Sequence, residues 1–221
     1  MKTKRISILQ AFLWVIRSRV GFLYKSEKDA QMYDLMARRF FGRERLAKKI
    51  AEYFQKFIKI DPAKTLICDC AAGTGIIAEA LIEKGYNLTA LDISRAQLNQ
   101  LSLNFPQIQT ALYDLNEEMT GLKDNSFNGL VQVGAGRFLT PIGQKIFAKE
   151  AKRVLKKGGI LIWPVFISEC VGKITQGIKW KASPHAIEGL LKDVGFRILK
   201  KELHLNFWTW FFACKIIIAQ K

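Results

Sequence analysis

The sequence predicts an α/β protein: a mostly parallel sheet covered by helices on both faces, preceded by a helical cap and closed by an antiparallel hairpin. Three observations predict it. From Lys64 onward, short apolar runs alternate with helical stretches, the pattern of parallel strands joined by crossover helices. The last two apolar runs are joined by a link too short for a crossover helix, so they should pair antiparallel. The first sixty residues read instead as helices.

In the cap, Ile6, Leu9, Leu13, Ile16, Val20 and Leu23 form one stripe, with Arg17, Arg19 and Lys25 lying off it. A second helix is expected over 29–41, ended by Gly42. A third covers 43–57, with Leu46, Ile50 and Tyr53 on one face. Asp61-Pro62 breaks the pattern and divides a cap, 1–60, from the main domain, 61–221. Residues 65–69 read as the first strand, 74–84 as a helix stopped by Gly85, and 87–92 as the second strand. Ser94 caps the next helix, with Gln97 completing a capping box. Strands over 108–113 and 127–133 follow, then a helix opened by Pro141 and ended at Gly158-Gly159. A strand over 160–165 and a helix over 183–193 lead to the hairpin, whose strands lie near 196–204 and 210–219.

A chain of 221 residues can bury about 70% of its unfolded surface, so it needs no disulfide or metal to hold a core. With 49% hydrophobic and 24% charged residues, it is not a disordered chain. Four cysteines make no disulfide framework. Cys68 and Cys70 sit in an apolar run, where reduced thiols are expected, so the reading is a cytoplasmic protein. The formal charge is +16, and residues 1–60 carry +10 of it, from 15 basic and 5 acidic side chains. Such an end can meet nucleic acid or an anionic membrane, or serve solubility alone. No segment spans a bilayer: the apolar run 6–16 contains Ser7 and Gln10, is closed by Arg17 and Arg19, and falls short of ~20 residues. Its basic start imitates a signal peptide, but no small-residue cleavage site follows.

The sharpest signal is Asp69-Cys-Ala-Ala-Gly73-Thr-Gly75, where a strand meets a helix. Glycines there allow a tight turn and a close approach of backbone to ligand, and the helix start offers free N–H groups. Asp92 ends the next strand 17 residues after Gly75, where a carboxylate can accept both hydroxyls of a ribose. Together these point to a nucleoside site. Gly73-x-Gly75-x-x-Ala78 also fits a dinucleotide fingerprint, yet Asp69 would then face a pyrophosphate, whereas it suits a cationic amino group.

On these residues the chain resembles the class I S-adenosylmethionine-dependent methyltransferases. Asp69 to Gly75 is similar to their cofactor loop, Leu91-Asp92-Ile93-Ser94 to their ribose-binding strand end, and Arg153 to Gly159 to the turn before their fifth strand. Asp114 matches the acidic position that meets the adenine amino group. The resemblance implies a Rossmann-like, seven-stranded sheet and S-adenosyl-L-methionine as cofactor. It places the cofactor against Tyr33, Asp69, Ala71, Gly73, Gly75, Asp92, Ile93, Asp114, Leu115 and Gly134. Tyr33-Asp34-Leu35-Met36, with Gly42 and Arg45 behind it, resembles the N-terminal segment of quinone and phospholipid methyltransferases.

There are departures. Lys157 stands where many relatives have proline, and the 167–182 link is shorter than the lid expected of the quinone enzymes, which weighs against a quinone acceptor. After the fourth strand, Gly134-Ala-Gly136-Arg137 lacks the Asn/Asp-Pro-Pro-Tyr of enzymes that methylate amino groups, and no Pro-Cys pair supplies a cytosine nucleophile. His185, at the start of the last helix on the cofactor side of the sheet, is the candidate general base, against a surface or capping role. His204 reads as structural. No Cys, His or Asp cluster has metal-ligand spacing, so no metal is expected. Phe207, Trp208, Trp210, Phe211 and Phe212 crowd the hairpin and cannot all face one core, so some could line a pocket or touch lipid. The expected function is methyl transfer to a small or lipid-like acceptor, with an anionic membrane as candidate partner through residues 1–25. The alternatives are an RNA methyltransferase and a non-catalytic cofactor-binding regulator.

Overall fold

The computed structural model describes residues 26–39, 43–136, 138–166, 183–205 and 213–221. The N-terminal stripe, Gly42, Arg137, the 167–182 link and the aromatic cluster of the hairpin lie outside these residues. Helices α1 (Glu27–Arg39) and α2 (Arg43–Phe57) come first. A short 3-10 turn, Pro62–Lys64, is capped by Asp61, whose side chain accepts from the Ala63 N–H. Then follow β1 (Leu66–Cys70), α3 (Ile76–Ile82), β2 (Asn87–Asp92), α4 (Arg95–Asn104), β3 (Gln109–Leu112) and β4 (Phe127–Gln132). The chain continues through α5 (Pro141–Val154), β5 (Leu155–Phe166), α6 (Pro184–Val194), β6 (Arg197–His204) and β7 (Cys214–Gln220).

The seven strands form one sheet in the order β3-β2-β1-β4-β5-β7-β6. The first five are parallel neighbours, and β7 inserts between β5 and β6, antiparallel to both. The expected parallel sheet and closing hairpin are therefore present. Alternation along each strand divides the core into two layers. In β7, Ile216 and Ile218 face the layer under α2 and α3, while Ile217 and Ala219 face the layer holding α5 and α6. Because both sides are covered, β4 and β7 read as nearly unbroken buried runs.

Leu46, Ile50 and Phe54 of α2 pack in the same cluster as Ile67, Ile77 and Ile216. The approach is closest at Gly129 of β4, where an added Cβ would stand 2.7 Å from Phe54 Cε1. A strand glycine of this kind marks a close packing partner.

Three local expectations differ from the structure. The helix after the glycine turn starts at Ile76, not Thr74, because Gly75 is held at φ +95° and forms its N-cap. The helix from Pro141 stops at Val154, four residues before Gly158. Leu155 is instead drawn into β5 opposite Phe127, and the next register pair is Gly129 with Ile160. Lys156 to Gly159 thus bulge out of the strand, and Gly158 at φ +78° serves the bulge rather than a helix end. Finally, Ser94 Oγ accepts from the Gln97 N–H at 3.3 Å, but the reciprocal bond is missing: Ser94 N–H goes to Asp92 Oδ1 at 2.8 Å, and Gln97 Oε1 has no partner.

Gly129→Ala tests the α2 contact. Overpacking against Phe54 and Ile67 should lower unfolding stability by about 1–3 kcal/mol, read from urea unfolding monitored by circular dichroism.

Candidate active site

The site is built at the carboxyl ends of β1, β2 and β4. Leaving β1, the backbone turns through left-handed conformations at Ala71 (φ +62°), Gly73 (φ +57°) and Gly75 (φ +95°). At Gly75 an added Cβ would lie 3.1 Å from the Phe105 ring. Ala71 has no such excuse of size and carries strain of about 1–2 kcal/mol. The turn is held from two sides. Gly73 N–H donates to Asp92 Oδ2 at 2.9 Å, binding the loop to the end of β2. Thr74 Oγ1 donates to Asp34 Oδ1 at 2.6 Å, binding it to α1. Asp34 also accepts from Arg38 Nε at 3.0–3.1 Å, and Arg38 in turn pairs with Glu79 of α3.

Tyr33 lies one residue before Asp34, with its Cε1 3.6 Å from the place of a Cβ on Gly73. Tyr33, Arg43, Ala71, Gly73, Thr74 and Val133 line one small cleft. Ile93 is 65% exposed beside Asp92, an apolar surface free to cover a flat ring. Asp114 Oδ1 accepts from the backbone and the side-chain N–H of Asn116, at 2.9 and 3.0 Å. Asn116 then accepts from Thr140 N–H, so the loop after β3 is tied to the start of α5. Leu115 is buried in the α5 layer. The Tyr113 N–H donates to the Asp92 carbonyl at 2.9 Å, which sets the Asp92 and Asp114 turns side by side. Gly134, at φ +84°, follows β4 and lies against the Arg43 guanidinium.

Asp69 is fully buried, and neither of its carboxylate oxygens has a partner. Burial first, and the Asp92 charge second, push its pKa up to about 7. Burial also raises Asp92, against the opposing pull of the Ser94, Gly73 and Ile93 N–H groups. An unpaired buried carboxylate is costly unless a cation arrives to meet it.

The structure therefore gathers Tyr33, Asp69, Ala71, Gly73, Gly75 and Asp92 around one turn, with Ile93, Asp114, Leu115 and Gly134 on the adjoining strand ends. His185 is not among them. It is exposed in the first turn of α6, which packs on α5, β6 and β7 in the other layer. His204 is half-buried at the end of β6, where burial and Lys49 lower its pKa. Among the described residues no cluster of three His, Cys, Asp or Glu could hold a metal. Sequence reasoning missed Arg43, Asp34 and Thr74. Arg43 did leave a signal, since a base in the first position of a helix opposes the helix dipole.

Residues 68–163 match the family described as a methyltransferase domain. A curated relative, the 2-methyl-6-phytyl-1,4-hydroquinone methyltransferase of Synechocystis sp., is 32% identical over 103 residues. The match covers 46% of this chain and 32% of that protein, so the chain spans about a third of its relative's length. Among solved structures, an S-adenosylmethionine-dependent methyltransferase from Archaeoglobus fulgidus superposes with a TM-score of 0.66 at 16% identity, over 86% of this chain and 99% of that one. Magnesium protoporphyrin IX methyltransferase from Synechocystis, with bound SAH, gives a TM-score of 0.64 at 14% identity, over 81% and 83%. The sheet order and the superposed structures give the chain the fold of these S-adenosylmethionine-dependent methyltransferases, and the methyltransferase-domain match covers the part of it that carries the glycine turn. S-adenosyl-L-methionine is the cofactor that the resemblance implies. The site fits that group: Asp69 offers two unused acceptors to a cationic amine, and the strained turn lets backbone approach a nucleoside.

Two measurements test these assignments. Asp92→Ala removes acceptors worth about 1.5–3 kcal/mol each and should weaken S-adenosylmethionine at least tenfold in titration calorimetry. Asp69 sets a pH dependence. The folded protein keeps a proton that the unfolded chain loses near 3.8, so this group lowers stability as pH rises from 3.8 to about 7. A bound ammonium group reverses that by favouring the carboxylate. Cofactor binding at pH 6 should release a proton, visible as buffer-dependent binding heats, and Asp69→Asn should abolish the release.

Proposed function

We propose that the protein transfers a methyl group to a small or lipid-like acceptor, of the quinol kind, met at a membrane surface. The observation that carries the catalytic reading is the buried, unpartnered Asp69 carboxylate beside the strained turn. When bound, S-adenosylmethionine supplies a methyl group activated by its sulfonium. Asp92 then accepts from the ribose hydroxyls while keeping its backbone donors, Asp69 holds the amine, and Ile93 with Asp114 frames the adenine. Tyr33, held over the loop by the Asp34–Thr74 bond, shields the cleft from water. The protein's work is alignment of nucleophile and methyl carbon. A phenol or carbon acceptor also needs a base; His185, the sequence candidate, stands in the first turn of α6 away from the glycine turn, so it serves only an acceptor that reaches that helix.

The hydroquinone methyltransferase relative supports the acceptor class and outweighs the objection drawn from the length of the 167–182 link. A second support is the placement of exposed apolar side chains. Phe138, Ile142, Leu203 and Leu205 all lie at the carboxyl edge, at the starts of α5 and the end of β6. Among the described residues no helix is long and apolar enough to cross a membrane. The reading is peripheral contact, with the basic, striped residues 1–25 as anchor.

Transfer of labelled methyl to a panel of quinols, lipids, phenols and RNA tests the function. Label should enter the quinol or lipid arms. Transfer to RNA alone would favour the reading that the +16 charge permits, and no transfer at all would leave a regulator. With the accepted substrate, His185→Ala should lower turnover by about 10²–10⁴-fold with cofactor affinity unchanged. Flotation should show the full chain on anionic vesicles, less on neutral ones, with release in high salt and on removal of residues 1–25.

A further inference from the structure

Arg43 is the first residue of α2 and only 6% exposed. Its guanidinium lies over the Phe166 ring at the end of β5, with Cζ 4.4 Å from the ring centre. Its Nε and Nη1 are buried and have no acceptor. A Cβ on Gly134 would stand 3.2 Å from Nη2, so a glycine there leaves the guanidinium its room. The contrast with other arginines is sharp. Arg38 holds Asp34 and Glu79, and Arg153 holds Glu150 and Asp124. Arg43 has an aromatic face but no anion, and the helix dipole opposes its charge as well. A buried cation in that condition is expensive, and it is kept where something else supplies the negative charge.

The cleft points to what that is. Arg43 lines it together with Ala71, Gly73 and Val133. Asp69, on the same face of β1 as Ile67, has two carboxylate oxygens that also lack partners. The two unpaired charges are opposite in sign and do not bridge each other. We propose that Arg43 is the anion anchor of this cleft, receiving a carboxylate through its planar fork. The carboxylate comes either from the amino-acid end of the cofactor or from an acidic acceptor. A guanidinium pinned on a ring presents two parallel N–H donors in a fixed plane, a geometry that matches a carboxylate and that lysine cannot reproduce. The inference rests on the methyltransferase reading and adds to it a binding residue and a charge requirement.

Titration of the full chain with S-adenosylmethionine and with decarboxylated S-adenosylmethionine, for wild type, Arg43→Gln and Arg43→Lys, separates the sources. If the anion is the cofactor's, wild type prefers the carboxylated form at least tenfold, Arg43→Gln erases the preference by weakening that form alone, and Arg43→Lys restores it in part. If it is the acceptor's, both forms bind alike in all three proteins. Benzoate then binds the S-adenosylhomocysteine-saturated wild type and not Arg43→Gln. A preference that survives Arg43→Gln, or no preference and no benzoate binding, overturns the proposal while the family reading stands. A wild type that binds neither cofactor form overturns both. Thermal melting of the ligand-free protein guards against a structural role. Arg43→Met should melt at or above wild type, because it removes an uncompensated buried charge, and a large drop in its melting temperature overturns the anchor.

Discussion

The hydrogen bond from Gly73 N–H to the Asp92 carboxylate is the joint on which the site hangs. It fastens the turn after β1 to the end of β2, two strands already in parallel register from Leu66 to Cys70. Without it, the left-handed residues at 71, 73 and 75 would have little to hold them, since Ala71 is strained and the glycines are free to move. The same carboxylate accepts the Ser94 N–H and so fixes the start of α4. One side chain thereby sets the turn and a helix end. This is why Asp92 is almost fully buried, although it stands at the proposed ribose site.

A second set of contacts brings the N-terminal helices to that joint. Phe54 of α2 lies against Gly129 of β4, so α2 packs on the centre of the sheet. At its other end, α2 delivers Arg43 over Phe166. Helix α1 reaches the turn through Asp34 and Thr74, and Arg38 extends the link to Glu79 of α3. The helices are thus walls of the cleft as well as parts of the core. Tyr33 is held near Gly73 by the same bond that holds Thr74 away from the helix its sequence would join.

The sheet was legible because its strands are short apolar runs with helical spacing between them, and because the turn joining 65–75 has few structural alternatives. The antiparallel end was legible from link length alone. Boundaries failed where a local rule met a tertiary demand. Gly158-Gly159 is a good helix stop, but Leu155 gains more by entering the core opposite Phe127. Ser94 and Gln97 spell a capping box, yet the nearby Asp92 carboxylate takes the Ser94 N–H and leaves Gln97 Oε1 without a partner. Asp69 and Asp92 could be picked out as candidates because strand ends are where ligands bind in such sheets. Arg43 could not be placed, because its meaning depends on Phe166 and Gly134, which lie far along the chain.

The buried charges near the glycine turn show how this fold divides stability from function. Asp69 has no donor, Arg43 has no acceptor at Nε and Nη1, and each would be better hydrated in the unfolded chain. Neither strengthens the ligand-free protein, and Asp69 answers its burial partly by holding a proton. The large apolar clusters on both faces of the sheet offset that deficit, which a smaller core could not. A zwitterionic ligand end would supply a cation for Asp69 and an anion for Arg43. The binding energy would then include relief of unpaired charge on both sides, so affinity would rest on a site already organised in the folded chain. The same logic explains the position of the acids. Asp92 accepts its backbone donors and holds the turn before any ligand arrives, whereas Asp69 becomes useful only when one does.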